Sequence, residues 1–242
     1  MQNIHFEVDK ELDNTQKLWR YMDLSKFISL LNEKALWLAR VDTFRDKQEG
    51  RFPDEMRKIF EKFYTGFEKE DVSPIKSVED FLDFVRKNTF ISCWHKNSDE
   101  NMVMWEIYGR DTKALAIQTT VERFKNSIDP SNLFGNSLLL KNVLYQQAEQ
   151  ISGMLRREEC YFIKRPHYSH EAEARICLDV YSDFFPTKDT PQGYYLPVLI
   201  NGLIEKILIH PDSPDGFMDD VKSITKKFNV HAPLERGLYG TK

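Results

Sequence analysis

Short apolar runs recur along this chain, and they do not alternate with helices at the regular interval that a doubly wound parallel sheet demands. The runs are LWRY (18–21), ALWLARV (35–41), TFISCW (89–94), KALAIQTT (113–120), LLLKNVLY (138–145), ARICLDVY (174–181) and PVLINGLIEKILIHP (197–211). Their length and their β-branched and aromatic content read as strands. Stretches with helical spacing gather between them. That arrangement predicts an α+β fold, with a mixed or antiparallel bent sheet or split β-sandwich surrounded by helices. A chain of 242 residues with 41% hydrophobic side chains can bury one sizeable core. One domain over 1–242 is therefore expected.

The helices announce themselves by caps and spacing. Asp23 precedes LSKFISLLNEK, where Leu24, Phe27, Ile28, Leu30 and Leu31 share a face. Residues 55–88 read as two amphipathic helices split by Ser73-Pro74, a helical insertion or lid. SDENMVMWEIYG (98–109) reads as a capped helix with a left-handed stop at Gly109, and Met102, Trp105 and Tyr108 would lay a stripe on the core. Further helices are expected after Thr120, around 147–159, and from Ser213 to about Phe228, after which NVHAPLE returns to the sheet. Residues 1–17 read as a polar lead-in, and 42–55 as a loop leaving a strand end.

Several function classes lose support at once. The net charge of −4 gives no global positive field for nucleic acid, so such binding would need a local patch. Cys93, Cys160 and Cys177 form no CxxC or Cys/His ligand spacing. His167 and His170 stand three apart but lack a third ligand at standard spacing, so no metal is expected. No serine-hydrolase elbow, P-loop or dinucleotide glycine motif occurs. The charged N-terminus lacks a signal-peptide core, and no apolar run approaches the ~20 residues a bilayer span needs. A cytoplasmic protein without a membrane partner is expected.

Three segments place polar side chains where a strand should be apolar: Trp19-Arg20-Tyr21, Ile91-Ser92-Cys93-Trp94 and Glu171-Ala172-Glu173-Ala174-Arg175. On an extended strand Glu171, Glu173 and Arg175 would share one face, and two stacked carboxylates need a cation, solvent or a use. Each segment singly has an ordinary explanation: an aromatic–cation pair, a bonded hydroxyl, an exposed strand face. In chain order, an Arg, a strand Ser and an ExE pair are what a nicotinamide-dinucleotide cleft of the ADP-ribosyltransferase kind uses. On that reading Arg20 is the fork for ribose or pyrophosphate, and Ser92 supports the carboxylate and the dinucleotide. Glu173 is then the catalytic carboxylate and Glu171 the upstream one that orients the nucleophile. Tyr21 flanks the fork, and Trp94 and Tyr108 are candidates for stacking. The substrate would be NAD, and the acceptor a protein, a nucleic acid or water. Asp46 and Glu49 form a further candidate loop, or else a salt bridge to Arg40 or Arg51. Lys164-Arg165 could meet phosphate, but read better as ordinary loop charge.

The same segments carry a resemblance. LWRYMDLSKFISLLNEKALWLARVDTFRDKQEG, FISCW, MVMWEIYG and HEAEARICL followed by LIEKILIHP resemble a widespread bacterial family, domain-of-unknown-function family 2971. The resemblance runs from about Leu18 to Leu238 and is weakest over 55–88. Asp46 and Glu49 match its D-x-x-E motif. Its members often carry Ser where this chain has Cys93 or Trp94, so the middle motif is incomplete here. A bacterial toxin or phage-defence effector is one role such a domain would suit. The alternatives are a non-catalytic nucleotide- or peptide-binding regulatory module, and a metal-dependent nuclease built on Asp46, Glu49, Glu171 and Glu173.

Overall fold

In a computed structural model the described residues are 5–44, 46, 50, 52–66, 77–129, 133, 137–147, 157–180 and 191–238. Twelve strands and seven α-helices are found among them. In chain order they are β1 His5–Val8, β2 Lys17–Asp23, α1 Leu24–Glu33, β3 Ala35–Arg40, α2 Asp54–Gly66, α3 Val78–Lys87, β4 Thr89–Lys96, α4 Met102–Tyr108, β5 Ala114–Thr120 and α5 Val121–Ser127. There follow β6 Ser137–Asn142, β7 Leu144–Tyr145, β8 Ile163–Lys164, β9 Glu173–Asp179, β10 Gly193–Pro197, α6 Ile200–Leu203, β11 Lys206–Ile209, α7 Phe217–Lys227 and β12 Leu234–Arg236. The expected mixed sheet with surrounding helices is present. Its order is β1-β6-β9-β4-β2-β5-β11-β12, while β3 pairs with both β4 and β10.

The sheet forks at its middle. β4 pairs along its length with β9, from Thr89↔Asp179 to His95↔Glu173. It touches β2 only at Leu18↔Lys96 and Trp19↔His95. Beyond that point β2 stays with β5, from Lys17↔Thr120 to Asp23↔Ala114. β4 instead takes β3 as its neighbour, through Ala39↔Ile91 and Arg40↔Phe90. The cleft described below is lined from β2 on one side and from β3 and β4 on the other.

Three buried clusters hold this arrangement. The largest joins Leu18 and Met22 of β2, Phe27, Leu30 and Leu31 of α1, Trp94 of β4 and Ile176 of β9. A second lies under α3, whose Val78, Phe81, Leu82 and Val85 pack with Ile91, Leu139 and Cys177. No residue of α2 or α3 among those described lines the cleft. A third seats α4 on β2 and β5 through Trp105, Met104, Tyr21 and Ala116.

The structure differs from the sequence reading at several points. The polar lead-in contains β1, paired parallel with β6. Phe6 and Val8 pack on the main core, and Glu7 pairs with Lys141 at 2.9 Å. Helix α4 begins at Met102, where the Asn101 side chain accepts from Met104 N, and not at Ser98. Gly109 has φ −104, so it is no left-handed stop. It is required by space, since a Cβ there would lie 2.7 Å from the Trp105 carbonyl oxygen and 2.9 Å from the His210 ring. The buried stripe is Met104 and Trp105, whereas Met102 and Tyr108 are each 48% exposed. Helix α7 starts after Gly216, and the Ser213 hydroxyl instead accepts from Arg236 Nη1 at 2.7 Å. The strand expected over 138–145 breaks into β6 and β7, and most of the helix expected at 147–159 lies outside the described residues.

Asp23 does cap α1 as expected, its carboxylate accepting from Lys26 N at 2.8 Å. Asp23→Ala should therefore lower stability by about 1 kcal/mol in urea unfolding, the usual cost of a lost N-cap.

Candidate functional site

Arg20 lies at the fork. Its Nη1 donates to Ser92 Oγ on β4 at 2.6 Å, and its Nη2 donates to the Trp37 carbonyl on β3 at 3.1 Å. The guanidinium carbon stands 5.9 Å from the centre of the Trp94 ring. One side chain of β2 thus reaches both β4, from which β2 has parted, and β3, which takes its place beside β4. Burial lowers its pKa to about 10, which leaves the guanidinium charged at neutral pH.

Arg20, Ser92 and Glu173 line one cleft of about 270 Å³, together with Glu171, Tyr21 and Tyr108. Cross-strand partners share a face, so Glu173 of β9 stands on the face of His95 and Cys93, while Ser92 stands on the face of Ile176. The fork brings groups from the two faces into one cavity.

The carboxylate pair is arranged differently from an extended ExE strand. Glu171 ends a 3₁₀ turn (Pro166–Glu171), Ala172 adopts φ 40, ψ 55, and β9 starts at Glu173. A left-handed alanine costs about 1–2 kcal/mol. The bend turns both carboxylates onto one ammonium. Lys164 Nζ donates to Glu171 Oε2 at 2.5 Å and to Glu173 Oε1 at 2.7 Å. Arg175 Nε donates to Glu173 Oε2 at 2.6 Å, and Arg175 Nη1 to the Tyr161 carbonyl at 2.8 Å. The backbone N–H of Glu173 donates to the Tyr145 hydroxyl at 2.7 Å. All four charged groups are more than nine-tenths buried.

The two carboxyls consequently prefer opposite protonation states. Burial, reinforced by the hydrogen bond to Glu173, pushes Glu171 up to about 7, and Lys164 offsets only part of this. Burial would raise Glu173 as well, but the charge of Arg175, the bond shared with Glu171 and the charge of Lys164 outweigh it and hold Glu173 well below the usual carboxylate range. Adjacent carboxyls split in this way provide one proton carrier and one fixed anion.

The other sequence candidates divide. Tyr108 is half exposed at the end of α4 and lines the cleft. Trp94 also lines it but is 1% exposed and packs edge-on against Phe124 at 5.1 Å, so it supports Arg20 and presents no open face for stacking. The Tyr21 hydroxyl is engaged, accepting from Asn101 N at 2.8 Å, and its ring meets Trp105 edge-on at 4.8 Å, which makes it a seat for α4. Asp46 accepts from Arg165 at 2.7 Å, and Arg40 pairs with Asp42 at 2.6 Å. Neither Asp46 nor Arg165 lines the cleft, and Glu49 lies outside the described residues.

Sequence reasoning missed Lys164 and His95. Lys164, read as loop charge, is the shared partner of the ExE pair. The signal was two buried-strand carboxylates needing more cation than Arg175 supplies. His95 Nδ1 donates to the Glu171 carbonyl at 2.6 Å, and its Nε2 is buried with no partner. Burial lowers its pKa and keeps the ring neutral. Among the described residues no group of His, Cys, Asp and Glu is arranged to hold a metal ion, and no helix is long and apolar enough to cross a membrane.

No family model and no curated protein matches the chain. Among solved structures it is similar to Thermus sp. 2.9 DarT in complex with NAD+, at TM-score 0.42 and 9% identity over 93% of this chain and 96% of that chain. It is also similar to Thermus sp. 2.9 DarT in complex with ADP-ribosylated ssDNA, at TM-score 0.39 and 10% identity over 93% and 95% of the two chains.

Breaking the Lys164 bridge tests the electrostatics. A group with a raised native pKa, as Glu171 has, stabilises the fold below the ordinary carboxylate value, and that contribution is lost as pH rises through about 7. Glu173, held low, contributes stability above the ordinary value that is lost on acidification. Lys164→Met removes the attraction that keeps both anions tolerable. It should cost about 3–5 kcal/mol at pH 8, and the deficit should shrink toward pH 5 as Glu171 takes up its proton. Urea unfolding at the two pH values reads this directly.

Proposed function

We propose that this chain is an NAD-consuming enzyme of ADP-ribosyltransferase-like architecture, a transferase or an NAD glycohydrolase, and that its resemblance to domain-of-unknown-function family 2971 marks the same site. One observation carries the reading: Arg20, Ser92 and Glu173, distant in sequence, line a single cleft, with Arg20 hydrogen-bonded to Ser92.

In this reading each group has a definite task. The C–N bond between nicotinamide and ribose breaks, and its electron pair leaves on the nicotinamide nitrogen. The ribose is left as an oxocarbenium-like cation. Glu173, held ionised in the wall of the cleft, faces that charge, and a fixed anion there acts without reorganisation. Arg20 has five N–H donors, of which two are committed to Ser92 and Trp37. The others serve the ribose or the pyrophosphate. The acceptor, water or a hydroxyl or amine of a macromolecule, adds to the ribose and gives up a proton. Glu171, with a pKa near neutrality, suits that proton. Tyr108 offers an aromatic wall for the departing ring. A toxin or phage-defence role, with a protein or nucleic-acid acceptor, belongs to the same proposal.

A second reading, a module that binds a nucleotide without cleaving it, is favoured by one detail. Both oxygens of Glu173 already accept hydrogen bonds, from Lys164 and Arg175. The nuclease reading has the opposite difficulty, because the Lys164 ammonium already stands between the two carboxylates that a metal would need.

Incubation with NAD separates the readings: the enzyme releases nicotinamide, whereas the module binds NAD and releases none. Arg20→Lys keeps the charge but loses the fork, and should lower NAD turnover on the order of 100-fold while the protein stays folded. Glu173→Gln should abolish turnover. It also leaves two buried cations short of an anion, and Arg20→Lys loses two bonds across the fork, so the melting temperature of each variant is read beside its turnover. Full activity in both variants would remove the assignment.

A further inference from the structure

A second cavity of about 270 Å³ adjoins the first, and the two share Arg20, Met22, Lys26 and Trp37. Its floor is apolar, with Leu30 of α1 and Leu36 of β3 joining Met22. Its rim carries two aromatic rings. Trp37 and Tyr195 are cross-strand partners of β3 and β10, and their ring centres lie 4.8 Å apart at 63°. They are 40% and 43% exposed, whereas Trp19, Trp94 and Trp105 are at most 3% exposed.

This exposed pair is held in place. A Cβ at Gly193 would come within 2.0 Å of the Trp37 indole, so residue 193 must be glycine for the ring to lie where it does. The Trp37 carbonyl is anchored by Arg20. An exposed tryptophan fixed in this way costs apolar hydration that nothing in the fold repays, and fixed aromatic faces beside an apolar floor suit a planar heterocycle. Cations adjoin the same space. The Arg20 guanidinium sits where the cavities meet, and the Lys26 ammonium, 2.9 Å from Asp23, stands at the rim. Each cavity alone falls short of the roughly 300–1,000 Å³ of a pocket for a drug-sized ligand. Joined, they fall within that range.

We infer that the Trp37–Tyr195 cavity is a purine subsite that stacks the adenine of the dinucleotide, with the pyrophosphate crossing Arg20 and the nicotinamide riboside at Glu173. The inference rests on the NAD reading above for which ligand is bound, and on the aromatic pair for where adenine lies.

Trp37 is the exposed tryptophan of the four, so quenching of tryptophan fluorescence by AMP reports on it selectively. AMP should quench the wild type and be displaced by NAD. Trp37→Ala and Tyr195→Ala, both surface changes, should weaken AMP and NAD binding in calorimetry by about tenfold or more, while Tyr195→Ala, whose ring lines the second cavity and not the first, leaves binding of nicotinamide mononucleotide unchanged. Gly193→Ala should reproduce the loss by pushing the indole aside. Equal AMP binding by wild type and Trp37→Ala would overturn the subsite. So would simultaneous binding of AMP and NAD, which would make the platform an acceptor-base site. AMP binding at Trp37 displaced by NAD, in a protein that never releases nicotinamide, would leave the subsite standing and remove the enzymatic reading.

Discussion

The guanidinium of Arg20 holds a forked sheet together at the point where backbone pairing fails. Strands β2 and β4 pair through two residues and then part, and a gap between strands leaves polar groups that need partners. Arg20 spans the gap, giving one N–H to the Ser92 hydroxyl and another to the Trp37 carbonyl. A lysine could carry the charge but not the two directed bonds. The cost is a partly desolvated cation, visible in its lowered pKa, and the Trp94 ring beneath it recovers part of that cost. Both cavities have Arg20 in their walls, so the element that closes the fork also orders the space a ligand would enter.

Behind the fork lies a second constraint of the same kind. Two glutamates and two cations are buried together, and the arrangement is tolerable because every charge has an opposite within hydrogen-bonding distance. The strained Ala172 aims the carboxylates at Lys164. Strain and buried charge commonly coincide where a fold gives up stability for a prepared site. Neutral His95 joins the group by donating to the Glu171 carbonyl, which ties β4 to the turn before β9 by a side chain as well as by the ladder.

The sheet was largely legible in the sequence, because apolar alternation and caps are local signals. Asp23, Thr120 and the run 174–181 led to α1, α5 and β9 as read. The misreadings arose where long-range contacts decide. β1 is a four-residue alternation of polar and apolar side chains inside a polar lead-in, and it becomes a strand because β6 offers an edge, the core receives Phe6 and Val8, and Lys141 receives Glu7. Gly109 looks like a helix stop and is in fact a close approach to His210. Arg20, Ser92 and Glu173 could be picked out because each is polar on a strand that should be apolar. Lys164 could not, since a lysine in the tract YFIKRP carries no mark of burial until the partners seven and nine residues onward fold against it. Trp37 and Tyr195 are hidden in the sequence for a related reason: aromatics on strands normally read as core, and the fork and Gly193 hold these two at the surface.

Hydrogen bonds to both oxygens of Glu173 do not by themselves make the site a passive module. Each carboxylate oxygen has room for two acceptor bonds; Lys164 and Arg175 take one apiece and the bond shared with Glu171 a third, which leaves one place. A ribose hydroxyl could join without evicting either cation. The cations would moderate the anion, but the same two partners keep Glu173 ionised despite its burial, and a neutral acid there could not face a developing positive charge. Glu171 meets the complementary need, since a carboxyl near neutral pKa can give or take a proton at little cost. In the proposed reaction, with Lys164 between them, the two glutamates would divide work that a single carboxylate could not do, one holding charge and the other moving it.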